Sequence, residues 1–338
     1  DVRSKGLQGK TGDGAIGKSG KTISSIALGC ANWGRDIDEE SAYRIMDYAL
    51  EKGINLFDTA EVYGGGQSRQ LRIDEMGLDE NQEVSAEMSS SEKIIGRWLQ
   101  RTDARDEIVL QTKTKGGPPE NIQNALEGSL ERMKIDRVDI YLMHQSNPDI
   151  PISETLGAMD AEVKSGRIDI IGSSNYTARE LSNAMAVSSS YGFRPFEIVQ
   201  PEYNLIRWNS EEELFPLYTN EGLAVTPYNP IGAGFLAGEY YNDRSNLPRG
   251  SRFAILPGYI NRYFTKRNFQ IVDRLKEKAK ELGVHMATLA MAWVMNHPVV
   301  TAPIIGAKTT GHVDSALSAY EMDFTPELRS EMNSWVRG

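Results

Sequence analysis

The chain of 338 residues is 40% hydrophobic and 25% charged, an ordinary globular composition with room for one large α/β barrel or two smaller domains. A net charge of −10 argues against nucleic acid or an anionic membrane surface as partner, and no apolar run reaches the roughly 18 residues of a spanning helix. Cys30, the one cysteine, rules out an internal disulfide, and the opening DVRSKGLQGKTGDGAIGKSGK lacks a hydrophobic signal core, so a cytoplasmic protein is expected.

Short β-branched and apolar runs then alternate with longer amphipathic stretches. TISSIALG (22–29) reads as a first strand, and DEESAYRIMDYALEKG (38–53) as a helix with Ala42, Ile45, Met46, Ala49 and Leu50 on one face and Gly53 as its C-cap. INLFDT (54–59) is the second strand, with SEKIIGRWLQ (91–100) as the helix behind it. EIVLQTK (107–113), VDIYLMH (138–144), RIDIIGSSN (167–175), FEIVQ (196–200), LAVTPYN (223–229) and VVTAPIIGA (299–307) continue the series of strands. Helices are expected over 118–134, 152–166, 177–192, 210–222, 264–283, 286–297 and 309–320.

Eight strand–helix units imply parallel strands with right-handed crossovers, and eight such strands close a barrel. A doubly wound open sheet would place G-x-G-x-x-G after the first strand, where this chain has LGCANWG. A single-domain (β/α)8 barrel over 1–338 is therefore expected. Residues 67–90, QSRQLRIDEMGLDENQEVSAEMSS, break the rhythm as an acidic insertion after the second strand. So long a loop, leaving a strand C-terminus, is either a solvated excursion or a lid or oligomer contact over the active face.

Four residues at or just beyond predicted strand ends could together move a proton: Asp58, Tyr63, Lys113 and His144. In a barrel of parallel strands all strand C-termini share one rim, so residues distant in sequence converge on one pocket. A carbonyl that accepts hydride needs a proton in step. Tyrosine, with a free pKa of about 10, needs an ammonium beside it to stabilise the phenolate. A carboxylate holds that ammonium charged, and an imidazole opposite positions the carbonyl oxygen. Singly, each residue has a bland reading as turn, packing or solvated side chain; on one rim they support one another.

The segments GINLFDTAEVYG, SEKIIGRWL, VDIYLMHQSNP, GRIDIIGSSNY, VQPEYNLI and VTPYNPIGAGFLAG resemble the aldo-keto reductase superfamily, nearest to its bacterial-type and potassium-channel β-subunit-like members. The resemblance covers nearly the whole chain. It implies a (β/α)8 barrel, an extended nicotinamide cofactor bound without a Rossmann motif, and reduction of an aldehyde or ketone, and it assigns the same four residues as the catalytic tetrad.

For the cofactor the resemblance implies Ser174, Asn175 and Gln200 at the carboxamide, Tyr228 stacked beneath the ring, and Asn229, Pro230, Ile231, Gly232, Gly234 and Leu236 around the pyrophosphate. It adds Gly29, Cys30, Gly306, Lys308, Thr309 and His312 as further cofactor contacts, Lys308 pairing with an adenosine 2′-phosphate and so favouring NADP(H) over NAD(H). Glu239 stands where the family often has Lys, and Ser315-Ala316 where it often has Glu-Asn. Trp33, Gln145 and Trp208 would face the substrate, with burial in the core the alternative for Trp33. No metal is expected.

Three functional readings stay open at this stage: a carbonyl reductase, a cofactor-binding regulatory subunit, and a dehydrogenase using Tyr63 as base. The chain is expected to act on a small molecule as a monomer or homo-oligomer.

Overall fold

The computed structural model describes residues 15–16, 21–238, 247–248 and 250–337. A two-stranded antiparallel hairpin, β1 (Ala15–Ile16) with β2 (Lys21–Thr22), comes first. Eight parallel strands follow: β3 (Ala27–Gly29), β4 (Leu56–Asp58), β5 (Val109–Thr114), β6 (Val138–Met143), β7 (Ile168–Ser174), β8 (Ile198–Gln200), β9 (Ala224–Val225) and β10 (Ile304–Gly306). They pair in the order β10-β3-β4-β5-β6-β7-β8-β9. Backbone bonds from Thr301 and Ala302 N–H to Val225 O (2.8 and 3.2 Å) and from Ile304 N–H to Pro227 O (2.8 Å) join the two ends and close the cylinder. The expected (β/α)8 barrel is what the chain forms.

Period-two alternation builds its interior. Ala27, Leu56, Val109, Ile140, Leu142, Ile170, Ile198, Ala224, Ala302 and Ile304 form one buried cluster, which Ile16 of the hairpin and Ile23 join. The intervening residues point outward into the helical layer; Phe57, for example, packs on Trp98 with ring centroids 5.7 Å apart.

The helices are α1 (Glu39–Glu51), α2 (Gly65–Met76), α3 (Ser90–Arg101), α4 (Pro119–Met133), α5 (Ile152–Lys164), α6 (Ala178–Tyr191), α7 (Ser210–Glu213), α8 (Phe215–Glu221), α9 (Arg252–Ile255), α10 (Ile260–Tyr263), α11 (Lys266–Leu282), α12 (Met286–Met295), α13 (Thr310–Glu321) and α14 (Pro326–Arg337). Several differ from expectation. The first barrel strand begins at Ala27 rather than 22, because Asn55 Oδ1 accepts from Ser24 N–H (2.7 Å) and Ser24 Oγ donates to Ile26 O (2.6 Å), replacing the ladder. The single helix expected over 210–222 is two, with Pro216 in the first turn of the second, where its missing N–H is harmless.

The largest correction concerns 67–90, expected as irregular loop: Gly65–Met76 is helix α2, and the chain then folds back along the loop after β3. Val84 N–H donates to Arg35 O (2.8 Å) and Ser85 N–H to Gly34 O (3.0 Å). A Cβ on Gly65 would fall on Ser85 O and Gly34 O, so this return requires glycine there.

Candidate active site

The alternation that fills the barrel with Leu56, Val109, Ile140 and Ile198 delivers Asp58, Gln111 and Lys113, His144 and Gln200 to the same interior face two or four residues later. Apolar layers thus give way to a polar one at the C-terminal rim.

There Lys113, with no exposed surface, donates from Nζ to Asp58 (2.8 Å) and to Thr59 O (2.8 Å). The same ammonium lies 3.3 Å from Tyr63 Oη and 4.7 Å from that ring's centroid. Tyr63 Oη is 3.5 Å from His144 Nε2, the rings meeting edge to face at 85°. Asp58 also accepts from Gln111 Nε2 (2.6 Å) and Gln200 Nε2 (3.1 Å). The structure therefore brings the four predicted residues into one connected chain of contacts. Gln111 was missed by sequence reading, although its place two residues before Lys113 on an alternating strand marked it.

Burial, with a smaller contribution from Asp58, raises the Tyr63 pKa above that of an ordinary phenol, although Lys113 beside it pulls the other way. The expectation that the ammonium would leave this phenol more acidic is corrected: Lys113 acts in the expected sense, but desolvation wins. Burial is the strongest single influence and works against the Lys113 charge, but Asp58 and Tyr63 together outweigh it, and the pKa lies above the usual lysine value. His144 is pushed down to about 3, first by burial and then by the charges of Lys113 and Lys115. Its imidazole is neutral across the physiological range.

Above this floor lies a cavity of about 470 Å³ whose wall includes Tyr63, His144, Ser174, Asn175, Gln200 and Tyr228. Ser174 Oγ donates to Gln200 O (2.7 Å), Asn175 Nδ2 to His144 O (2.9 Å), and Tyr228 Oη to Asn175 Oδ1 (2.8 Å). Beyond Tyr228, Asn229, Gly232, Ala233 and Gly234 all have positive φ (56°, 58°, 58° and 98°). The segment is a series of tight turns, in which Gly232 N–H donates to Asn229 O (2.9 Å) and Gly234 and Leu236 N–H to Ile231 O (both 3.1 Å). Pro230 and Ile231 lie within it, and Leu236 is buried in the core. Glu239 lies outside the described residues.

At the opposite edge Lys308 Nζ donates to Gly250 O (2.9 Å) and pairs with Asp36 (2.9 Å), while its N–H donates to His312 Nδ1 (3.0 Å). Gly306 ends β10 and Thr309 caps α13. Asp36 also pairs with Arg35 (3.0 Å), and burial together with nearby Arg252 lowers the Arg35 pKa to about 10. Arg252, another residue sequence reading passed over, lines the cavity with a buried Nε that has no hydrogen-bond partner among the described residues. Three cations thus converge on the one carboxylate of Asp36.

Gly29 and Cys30 lie deeper. Cys30 is wholly buried, and its N–H donates to Asp58 O (2.8 Å). Three substrate-facing expectations need correction. Trp33 is fully buried in the cluster around α1 and α3, because the turn in which its N–H donates to Cys30 O folds the indole inward. Gln145 is exposed and off the cavity wall. Trp208 packs near the C-terminus with the Arg337 guanidinium 4.6 Å from its ring centroid.

The acidic stretch supplies the outer wall instead. Gln67, Ser68, Gln70, Leu71 and Asp74 of α2, together with Met88, face Leu256 and Tyr259 of the segment after α9. Arg72 pins this wall, donating to Glu83 Oε1 and Oε2 (2.5 and 2.9 Å) and to Ile255 O (3.2 Å). No helix among the described residues is long and apolar enough to cross a membrane.

Comparison with known proteins agrees with this geometry. The model of the Aldo/keto reductase family matches residues 25–336. The chain is 32% identical to the uncharacterized oxidoreductase YrpG of Bacillus subtilis (strain 168), over 96% of this chain and 95% of that one. It is 29% identical to a probable voltage-gated potassium channel subunit beta of Oryza sativa subsp. japonica, over 95% of each. It is 26% identical to the versiconal hemiacetal acetate reductase of Aspergillus parasiticus, over 92% of this chain and 93% of that one.

Proposed function

This chain belongs to the aldo/keto reductase family of oxidoreductases, and on that footing we propose that it reduces an aldehyde or ketone to the alcohol with NADP(H), Tyr63 being the general acid. The observation that carries the reading is a phenol 3.3 Å from a buried ammonium and 3.5 Å from a neutral imidazole, opening on a cavity of about 470 Å³.

The residues present fit the cofactor. The unpartnered Nε of Arg252 suits a pyrophosphate, and the surplus of positive charge around Asp36 suits a further phosphate at Lys308. Ser174, Asn175 and Gln200 offer amide and hydroxyl groups to a flat carboxamide, and Tyr228 an aromatic face. When bound, NADP(H) supplies the hydride that forms the new C–H bond.

The protein's part is the proton. As the carbonyl π electrons collapse onto oxygen, that oxygen takes the Tyr63 proton. Lys113, held charged by Asp58, stabilises the phenolate left behind. Neutral His144 donates a hydrogen bond that fixes the carbonyl oxygen near Tyr63 Oη. With its pKa raised, Tyr63 is protonated near neutrality, the state an acid needs.

Tyr63→Phe is expected to lower turnover by roughly 10³-fold while leaving NADPH affinity, measured by fluorescence titration, within about twofold. Near-full turnover in that variant removes Tyr63 from its role. Tighter binding of NADH than of NADPH in the same titrations removes the 2′-phosphate role of Lys308.

A further inference from the structure

The cavity wall is charged against the sign of the whole molecule. In a chain of net charge −10, the wall carries Arg35, Lys115 and Arg252 but a single carboxylate, Asp74. Asp74 sits on the outer wall, where it accepts from Gln70 Nε2 (2.8 Å). Arg35 is matched by Asp36, and Arg252 lies with it on the side where cofactor phosphates are proposed.

Lys115 is different. It follows catalytic-rim Lys113 by two residues, on the side of the cavity where His144 stands, and its charge is felt by that imidazole. Its backbone is tied down: its N–H donates to Glu61 Oε1 (2.7 Å), which also accepts from Thr114 Oγ1 (3.0 Å), and Gly116 N–H donates to Thr114 Oγ1 (3.0 Å). Yet among the described residues no carboxylate lies within ion-pair distance of its ammonium, and the side chain is exposed to the cavity. A cation in a concave site with no carboxylate at ion-pair distance draws anions.

Resting on the reductase reading, we propose that Lys115 is a specificity-determining residue and that the preferred substrate is an anionic carbonyl compound, its carboxylate or phosphate seated on Lys115 while its carbonyl lies at Tyr63 and His144. The ion-pair partner that Lys115 lacks among the described residues is the one the substrate brings.

Matched pairs of substrates test this: 4-carboxybenzaldehyde against 4-nitrobenzaldehyde for a carboxylate, and glyceraldehyde 3-phosphate against glyceraldehyde for a phosphate. Wild-type kcat/KM is expected to be at least tenfold higher for the charged member of one pair, and the advantage is expected to shrink as salt rises. Lys115→Met raises KM for that member roughly tenfold with little change in kcat, leaves its neutral partner within about twofold, and Lys115→Arg retains most of the preference. Equal rates within both pairs, or an equal KM rise for charged and neutral members in Lys115→Met, overturn the proposal while the reductase reading stands. Absence of turnover with all four sinks the reductase reading. Calorimetric titration with benzoate against benzamide then decides the anion site alone: preferential benzoate binding lost in Lys115→Met upholds it, and equal binding refutes it.

Discussion

Two buried ion pairs hold the surroundings of the cavity together. In the floor, Lys113 and Asp58 have side chains 0% and 5% exposed; in the outer wall, Arg72 and Glu83 are 2% and 1% exposed. Burial costs both pairs, more at Lys113 than at Arg72, and additional hydrogen bonds surround each. The difference lies in where the cation's remaining donors go. Arg72 directs its terminal nitrogens to Glu83 and to the carbonyls of Glu80 and Ile255, all within the protein. Lys113 directs one toward Tyr63 Oη, which opens on the cavity. Similar exposure and equal charge thus make one pair a fastener and leave the other as part of the proton-transfer chain proposed for Tyr63.

Breaking the floor pair should have the largest effect. Lys113→Met leaves Asp58 buried without its counter-charge and Tyr63 without its stabiliser. Turnover is expected to fall by roughly 10³-fold and unfolding free energy by about 3–5 kcal/mol, the latter read from urea denaturation. Activity within tenfold of wild type would erase the contrast between the two pairs.

Breaking the wall pair should act on order rather than on chemistry. Glu83→Gln is expected to speed amide hydrogen exchange across residues 65–90 by about a hundredfold while kcat changes less than threefold. A collapse of kcat in that variant would mean the wall takes part in the chemical step.

The smallest effect sharpens the floor's electrostatics. His144 has an ordinary pKa near 6.5 in the unfolded chain and about 3 in the folded one. Between those values the unfolded state holds more protons, so this residue's contribution to stability rises with pH and is lost as pH falls from 6.5 toward 3. His144→Gln should therefore flatten the fall in urea midpoint between pH 7 and pH 4.5 relative to wild type. An unchanged slope would mean that the imidazole is not held neutral. For the same reason kcat/KM should show no limb from His144 near pH 6.5.

Much of this architecture could be read from residue order. Eight apolar runs separated by helical periods called for parallel strands in a closed barrel, and rim placement alone picked out Asp58, Tyr63, Lys113 and His144. What escaped that reading had at most a faint local signature, the strand alternation that marked Gln111. Gln111 and Arg252 are common polar residues whose roles arise from neighbours 53 residues away, in the case of Gln111 and Asp58, or from an orphaned Nε in a cavity. Trp33 was drawn toward the substrate by its position after a strand, but turn geometry decides which way an indole points, and here it points inward. The helix that enters 67–90 was hidden by the Gly64-Gly65-Gly66 run at its start, although the Gln, Arg, Leu and Met residues that follow are good helix formers.

By itself, then, the order of residues determined the barrel, its strand sequence and the composition of its polar floor, because a period of two along short strands decides which side chains look inward. Tertiary structure alone decided that the acidic stretch becomes a wall, that Lys308 meets Asp36, and that Lys115 stands at the cavity with no carboxylate at ion-pair distance among the described residues. Those outcomes depend on distances between segments far apart in the chain, and burial and charge act through distance.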